Sequence, residues 1–119
     1  IHGIDFDKLH SAVHWGDRAA HKLKKITKTY KTVNMSKDYH TYAVERNDLY
    51  LIFYFDGKEY FRVPRDNKIR KNLFGQPAHF IFSLAIGGRW FPIPVTPEEA
   101  KHWPVSDMNV EYIKIYGYE

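Results

Sequence analysis

The sequence predicts an all-β domain built from antiparallel strands, and three observations carry that reading. Aromatic residues make up 17% of the 119 positions, with nine Tyr, eight Phe and three Trp, and such side chains fill pleated, half-buried layers well. Residues 49–55 (LYLIFYF) meet Asp56-Gly57 and continue as KEYFRV over residues 58–63. Asp-Gly between two apolar runs is a strong hairpin signal, because both residues tolerate the positive φ of a type I′ turn. Two later stretches, HFIFSLAIGGRW over residues 79–90 and MNVEYIKIY over residues 108–116, have the length and the β-branched and aromatic content of strands.

In chain order, residues 9–15 (LHSAVHW) alternate as a strand that Gly16-Asp17 ends. Residues 18–26 (RAAHKLKKI) read as a helix, since Ala, Leu and Lys are strong helix formers. Residues 37–45 (KDYHTYAVE) return to β-branched and aromatic types. The hairpin follows, then a charged loop over residues 64–75, and Gln76-Pro77 leads into the apolar run from His79. Residues 91–104 hold Pro92, Pro94, Pro97 and Pro104 and read as a long connection. Within it Glu98-Glu99, just after Pro97, has the look of the acidic first turn of a short helix. The strand over residues 108–116 closes the domain, and no internal repeat or low-complexity tract is evident.

Length and composition set bounds. The chain is one domain at most, and all-β sandwiches often run to about 200–250 residues, so a partial domain is expected. It begins at Ile1 with no Met and no apolar leader, so any targeting segment is expected upstream or removed. No run approaches the ~18 apolar residues of a membrane span. With no Cys there is neither a disulfide framework nor a thiolate metal site. A formal charge of +4 and a pI near 9.2 suit acidic partners or a solvated basic face. Lys22, Lys24, Lys25, Lys28 and Lys31 cluster in one segment, and Arg62, Arg65, Lys68, Arg70 and Lys71 in another. No nucleic-acid fold signature accompanies them, so a sulfated glycan is a better use for these charges than nucleic acid.

Four segments, in order, resemble the C-terminal half of glycoside hydrolase family 16, the laminarinase, lichenase, agarase and carrageenase family. LHSAVHWGD (residues 9–17) is similar to its "VHGTVHWGG" strand. YHTYAVE (residues 39–45) and LIFYFDGKEYFRV (residues 51–63) are similar to its strand and hairpin around "YVDG". HFIFSLAIGGRW is similar to "ILNLAVGGNW", and MNVEYIKIY to the closing "MxVDYVRVY". The resemblance implies a curved two-sheet jelly roll of the concanavalin A-like kind, with a polysaccharide bound on its concave face. It also implies a nucleophile and an acid/base supplied by glutamates of a Glu-x-Asp-x-(x)-Glu strand just before the "VHGTVH" strand. Nothing in this chain matches that motif, which by order is expected to end a few residues before Ile1. Three departures stand out: Arg46 in place of the usual Trp, Ser83 in place of an Asn that commonly bonds a sugar hydroxyl, and Glu111 in place of an Asp that in several members helps hold a structural calcium.

The candidate residues follow. His14 shares a strand face with Ala12, opposite Val13 and Trp15; the resemblance implies that it faces the cleft, where a neutral imidazole can bond a sugar hydroxyl or a catalytic carboxylate. The alternative is a structural His. His10 and His14 have the i, i+4 spacing of helical metal ligands, but on a strand they lie roughly 13 Å apart. Trp90 follows Gly87-Gly88, which leaves its ring for a pyranose face or for the core. Trp15 and Trp103 fit packing better, Trp15 remaining a possible stacking ring, and Arg89 could reach a hydroxyl or sulfate. Ser83, Ala85 and Ile81 share one face that the resemblance turns to the cleft. Asp5 and Asp7 alternate at roughly 6.5 Å, within the range of working carboxylate pairs, in a setting that reads as a turn.

The expected function is part of an endo-acting, retaining hydrolase of β-1,3- or β-1,3/1,4-glucan, with its catalytic glutamates outside the chain. Substrate contacts are expected from His14, Trp15, Ser83, Arg89 and Trp90, a structural calcium at Glu111, and no cofactor for catalysis. Expected partners are a polysaccharide and the missing N-terminal half of the domain, with no nucleic acid and no membrane span. The expected place is secreted, periplasmic or the bacterial cell surface. The alternative is a non-catalytic glycan-binding jelly roll, for instance for a sulfated or acidic polysaccharide.

Overall fold

A computed structural model describes residues 5–17, 19–66, 77–85, 96–102 and 107–117. The chain divides into two compact units, residues 1–78 and residues 79–119. The described residues of the first unit build two antiparallel sheets. In one, β1 (Lys8–Asp17) pairs with β2 (Lys22–Lys31), running from Lys8↔Lys31 to Asp17↔Lys22. In the other, β3 (Tyr42–Arg46), β4 (Tyr50–Phe55) and β5 (Lys58–Pro64) lie in the order β3-β4-β5.

β1 forms where alternation predicts it, but the helix expected over residues 18–26 does not: residues from Lys22 onward are β2. Local propensity loses to the sheet because Tyr30 and Ile26 stand opposite Leu9 and Val13, and only an extended chain puts both on the inward side beside them. The turn that joins the strands uses Asp17, whose Oδ1 accepts the Ala20 N–H at 3.1 Å, and His21 at φ 53°. The strand expected over residues 37–45 starts only at Tyr42. Before it, short polar side chains compete for the backbone: Asn34 Oδ1 accepts the Ser36 N–H at 3.0 Å and its hydroxyl at 2.7 Å, and Asp38 Oδ1 accepts the Tyr39 N–H.

The hairpin is as expected, with Asp56 at φ 48° and Gly57 at φ 75°, the sign that a type I′ turn needs at both positions. Its ladder slips by one residue between Phe53↔Phe61 and Tyr54↔Glu59. This β-bulge leaves Tyr60 as the extra residue, so Tyr60 and Phe61 both face inward. The inward rows of the two sheets, with Met35 from the connection between β2 and β3, make the core. Leu9, Met35 and Phe55 form one buried cluster with Tyr30 and Tyr60 packed on it. Val13 and Val63 form a second, flanked by Trp15, Ile26, Leu51, Phe53 and Phe61. Burying such side chains contributes about 1.5–3 kcal/mol each. β2 packs over β5, which leaves the inward row of β3 less covered; Val44 is 53% exposed.

In the second unit the acidic turn after Pro97 is the short helix α1 (Pro97–Lys101). Thr96 and Glu99 cap it reciprocally: Glu99 Oε2 accepts the Thr96 N–H at 2.9 Å and Thr96 Oγ1 accepts the Glu99 N–H at 3.2 Å, a capping box. The strands expected over residues 79–90 and 108–116 are not formed among the described residues: residues 79–85 and 107–117 run without regular structure. Their apolar side chains suit a strand, but a strand also needs a neighbouring edge for its N–H and C=O groups, and the described residues of the unit offer none. No helix among the described residues is long and apolar enough to cross a membrane.

Candidate functional site

The inner row of β1, Leu9, Ser11, Val13 and Trp15, belongs to the core side; the outer row, His10, Ala12 and His14, looks away from it. Leu9 and Val13 are each 5% exposed, whereas Ala12 and His14 are open to solvent. Cross-strand pairing sets the outer neighbours: His10 opposite Thr29, Ala12 opposite Thr27, His14 opposite Lys25. The result is a wall with small residues at its middle and hydrogen-bonding groups on either side. His10 Nδ1 lies 3.1 Å from Thr29 Oγ1, which fixes one imidazole of the row.

Gly16 ends the wall at φ 108°, where a Cβ would run into the backbone carbonyl of Lys22. Only glycine lets β1 and β2 close up there. At the other end Asp5 Oδ1 accepts a 3.0 Å bond from Lys8 Nζ; the bonded Asp5 carboxylate raises the Lys8 ammonium above its usual range. Asp5 is therefore engaged by a cation in the turn before β1, in keeping with its turn-like setting.

His14 and Trp15 lie on opposite faces, as alternation requires. Trp15 is half-buried against the Val13–Val63 cluster, and His14 alone of the two stands on the exposed wall. Ser83 and Ala85 are exposed on an irregular segment of the second unit. Arg89 and Trp90, with Gly87-Gly88, lie outside the described residues, as do Trp103, Lys68, Arg70 and Lys71. Glu111 is exposed, and among the described residues no three His, Cys, Asp or Glu come together to hold a metal.

Sequence reasoning missed a pairing that steadies the second sheet. His40 Nδ1 lies 2.8 Å from Asp56 Oδ2, and Asp56 Oδ1 accepts the Thr41 N–H at 2.9 Å. Burial pushes the Asp56 carboxyl up, but the Thr41 amide and His40 outweigh it and hold the group below its usual range. The His40 ring lies 5.0 Å from Phe55. His40 just before β3 and Asp56 just after β4 stand 16 residues apart and meet because β3 and β4 pair. On the outer face of the same sheet Glu45 accepts bonds from Tyr54 (2.9 Å) and Asn47 (2.7 Å), and Arg62 lies 4.7 Å over the Tyr50 ring while bonding Glu59.

Comparison with known proteins adds what geometry alone does not carry. The chain is similar to the clotting factor G alpha subunit of Tachypleus tridentatus, 28% identical over 115 residues that cover 92% of this chain and 16% of that protein. It is also similar to a beta-glucanase of Rhodothermus marinus, 26% identical over 122 residues that cover 96% of this chain and 41% of that enzyme. The chain thus spans less than half the length of either curated relative. No solved structure matches at a significant level. A family model, glycosyl hydrolases family 16, aligns with residues 1–112, and with its two antiparallel sheets and the strand pattern described above the chain belongs to that family.

Proposed function

We propose that residues 1–119 form one wall of the cleft of an endo-acting, retaining β-1,3- or β-1,3/1,4-glucan hydrolase, the two catalytic glutamates being supplied by polypeptide outside these residues. The observation that carries this reading is the outer row of β1: an exposed His14 beside the small Ala12, on a strand whose second edge has no strand partner among the described residues. A neighbouring strand along that edge would stand its outward side chains beside His14. Its inward side chains would cover Val44, the open part of the interlayer space. The name of the Rhodothermus marinus relative, a beta-glucanase, supports the choice of substrate.

In the retaining mechanism one carboxylate attacks the anomeric carbon to give a glycosyl-enzyme. A second protonates the leaving oxygen and then activates water, the two carboxyls standing about 5–5.5 Å apart. His14 acts there by hydrogen-bonding a carboxylate or a sugar hydroxyl. Ser83, Arg89 and Trp90 are proposed as further sugar contacts, and a secreted, periplasmic or cell-surface location as the place where such a polymer is met. The test uses the intact polypeptide on laminarin and on mixed-linkage glucan. Release of reducing ends with β-anomers formed first is expected, and His14→Ala should lower kcat/KM by about 10–100-fold, the cost of one lost hydrogen bond to a charged group, with an unchanged melting profile. Absence of cleavage by the intact polypeptide overturns the enzyme reading.

A second reading, a glycan-binding module without catalysis, is favoured by one observation: the wall made by the outer rows of β1 and β2 carries no acidic residue. Retention on a laminarin affinity gel without reducing ends would select it.

A further inference from the structure

We propose that the β2 edge of the first unit is a second binding strip, adjoining the β1 wall, that takes an anionic polysaccharide bearing sulfate or carboxylate groups. β2 reads KLKKITKTYK, five lysines and no acid in ten residues. Four acids of the first unit are engaged away from β2, Asp5 by Lys8, Glu59 by Arg62, Asp48 by Arg65 and Asp56 by His40. None of the five β2 lysines forms an ion pair among the described residues, and neither does Lys58 on β5. All six are exposed.

The five on β2 lie along one strand. Lys22, Lys24 and Lys28 project from one side of the strand and Lys25 and Lys31 from the other, so ammonium groups flank both sides of an edge about 30 Å long. The edge is held firmly: Tyr30 of β2 stacks on Tyr60 of β5 at a centroid distance of 5.1 Å, and Tyr60 is bonded to Ser11 at 2.6 Å. Cations presented on a fixed line lose little further freedom when a charged polymer settles along them. Lysines on an edge strand also deter edge-to-edge pairing. One or two inward-leaning ones, Lys24 and Lys28, suffice for that, and Lys22, Lys25, Lys31 and Lys58 exceed it. Single-stranded nucleic acid is the poorer fit, because it needs exposed rings for base stacking, and the one aromatic of β2, Tyr30, is already engaged.

The experiment compares dextran sulfate with uncharged dextran, and with polyuridylate and duplex DNA at equal charge concentration, using the intact chain over 0.05–0.3 M NaCl, about one Debye regime to the next. Binding to dextran sulfate, none to dextran, and weaker binding to both nucleic acids are expected. The triple change Lys22→Gln, Lys24→Gln, Lys28→Gln, all on the face of β2 turned from the β1 wall, should weaken dextran sulfate binding at least about tenfold and make the log–log salt dependence shallower by about 2. The Lys→Arg triple should keep both, and thermal melting confirms that each variant is folded. Unchanged affinity in the Gln triple, or tighter binding to either nucleic acid, overturns the proposal. So does a Gln triple whose sole change is self-association, which would leave the lysines as edge protection only. Laminarin cleavage by the same triple reports on the β1 wall alone, so failure of one reading is separable from failure of the other.

Discussion

Residues 50–55 (YLIFYF) and residues 79–85 (HFIFSLA) are built from nearly the same kinds of side chain, yet they have opposite fates. The first is the central strand of its sheet, with Phe55 6% exposed; the second runs without regular structure, with Phe82 51% exposed. Apolar content does not separate them. What does is the neighbour: Asp56-Gly57 returns the chain at once to give β4 an adjacent edge, so little loop-closure entropy opposes pairing. No such turn follows residue 85 among the described residues. A strand is a property of two segments, and only one of these stretches carries its second segment close by.

That contrast can be broken or sharpened by substitution. The largest expected effect is from Phe55→Ala, which empties a site in the Leu9–Met35–Phe55 cluster and should cost about 3–5 kcal/mol in urea unfolding. Phe82→Ala, the same chemistry on an exposed residue, should stay within about 0.5 kcal/mol. Equal losses would mean that the two stretches are equally packed. Next, Gly16→Ala should cost about 1–3 kcal/mol, since its positive φ and the Lys22 carbonyl both oppose a Cβ. Tyr60→Phe removes the bond to Ser11 and should cost about 1 kcal/mol, visible as a lowered Tm.

The smallest effect is a matter of pH. Folding lowers the Asp56 pKa, so this group stabilises the fold fully above the unfolded carboxylate value of about 3.9. The contribution is lost as pH falls through the lower, folded value. Asp56→Asn should therefore flatten the acid limb of a stability–pH profile while changing its neutral end by the lost His40 contact alone. An unaltered acid limb would remove Asp56 as its source.

Some of this was legible in the residues and some was not, for identifiable reasons. Asp56-Gly57 announced its hairpin because turn chemistry is local, and the faces of His14 and Trp15 followed from a period of two. β2 was misread because Ala, Leu and Lys favour a helix while the reason for extension, Ile26 and Tyr30 meeting Val13 and Leu9, lies on another strand. His40 with Asp56 was hidden for the same reason, as a side-chain pairing that depends on the sheet. For the candidate site, alternation gave the wall of β1, but its partner cations on β2 became visible only with the register. The roles expected of Arg89 and Trp90 fall outside the described residues.

The slip between Phe53 and Tyr54 carries one more lesson. Because Tyr60 is inserted there, two consecutive side chains of β5 serve the two halves of the core, Tyr60 the Leu9 cluster and Phe61 the Val13 cluster. Excising Tyr60 would leave every other rung of the ladder in place and make the hairpin more regular, yet it would uncouple the two halves. Perfect regularity would here be the damaging change, and the apparent flaw is the stitch.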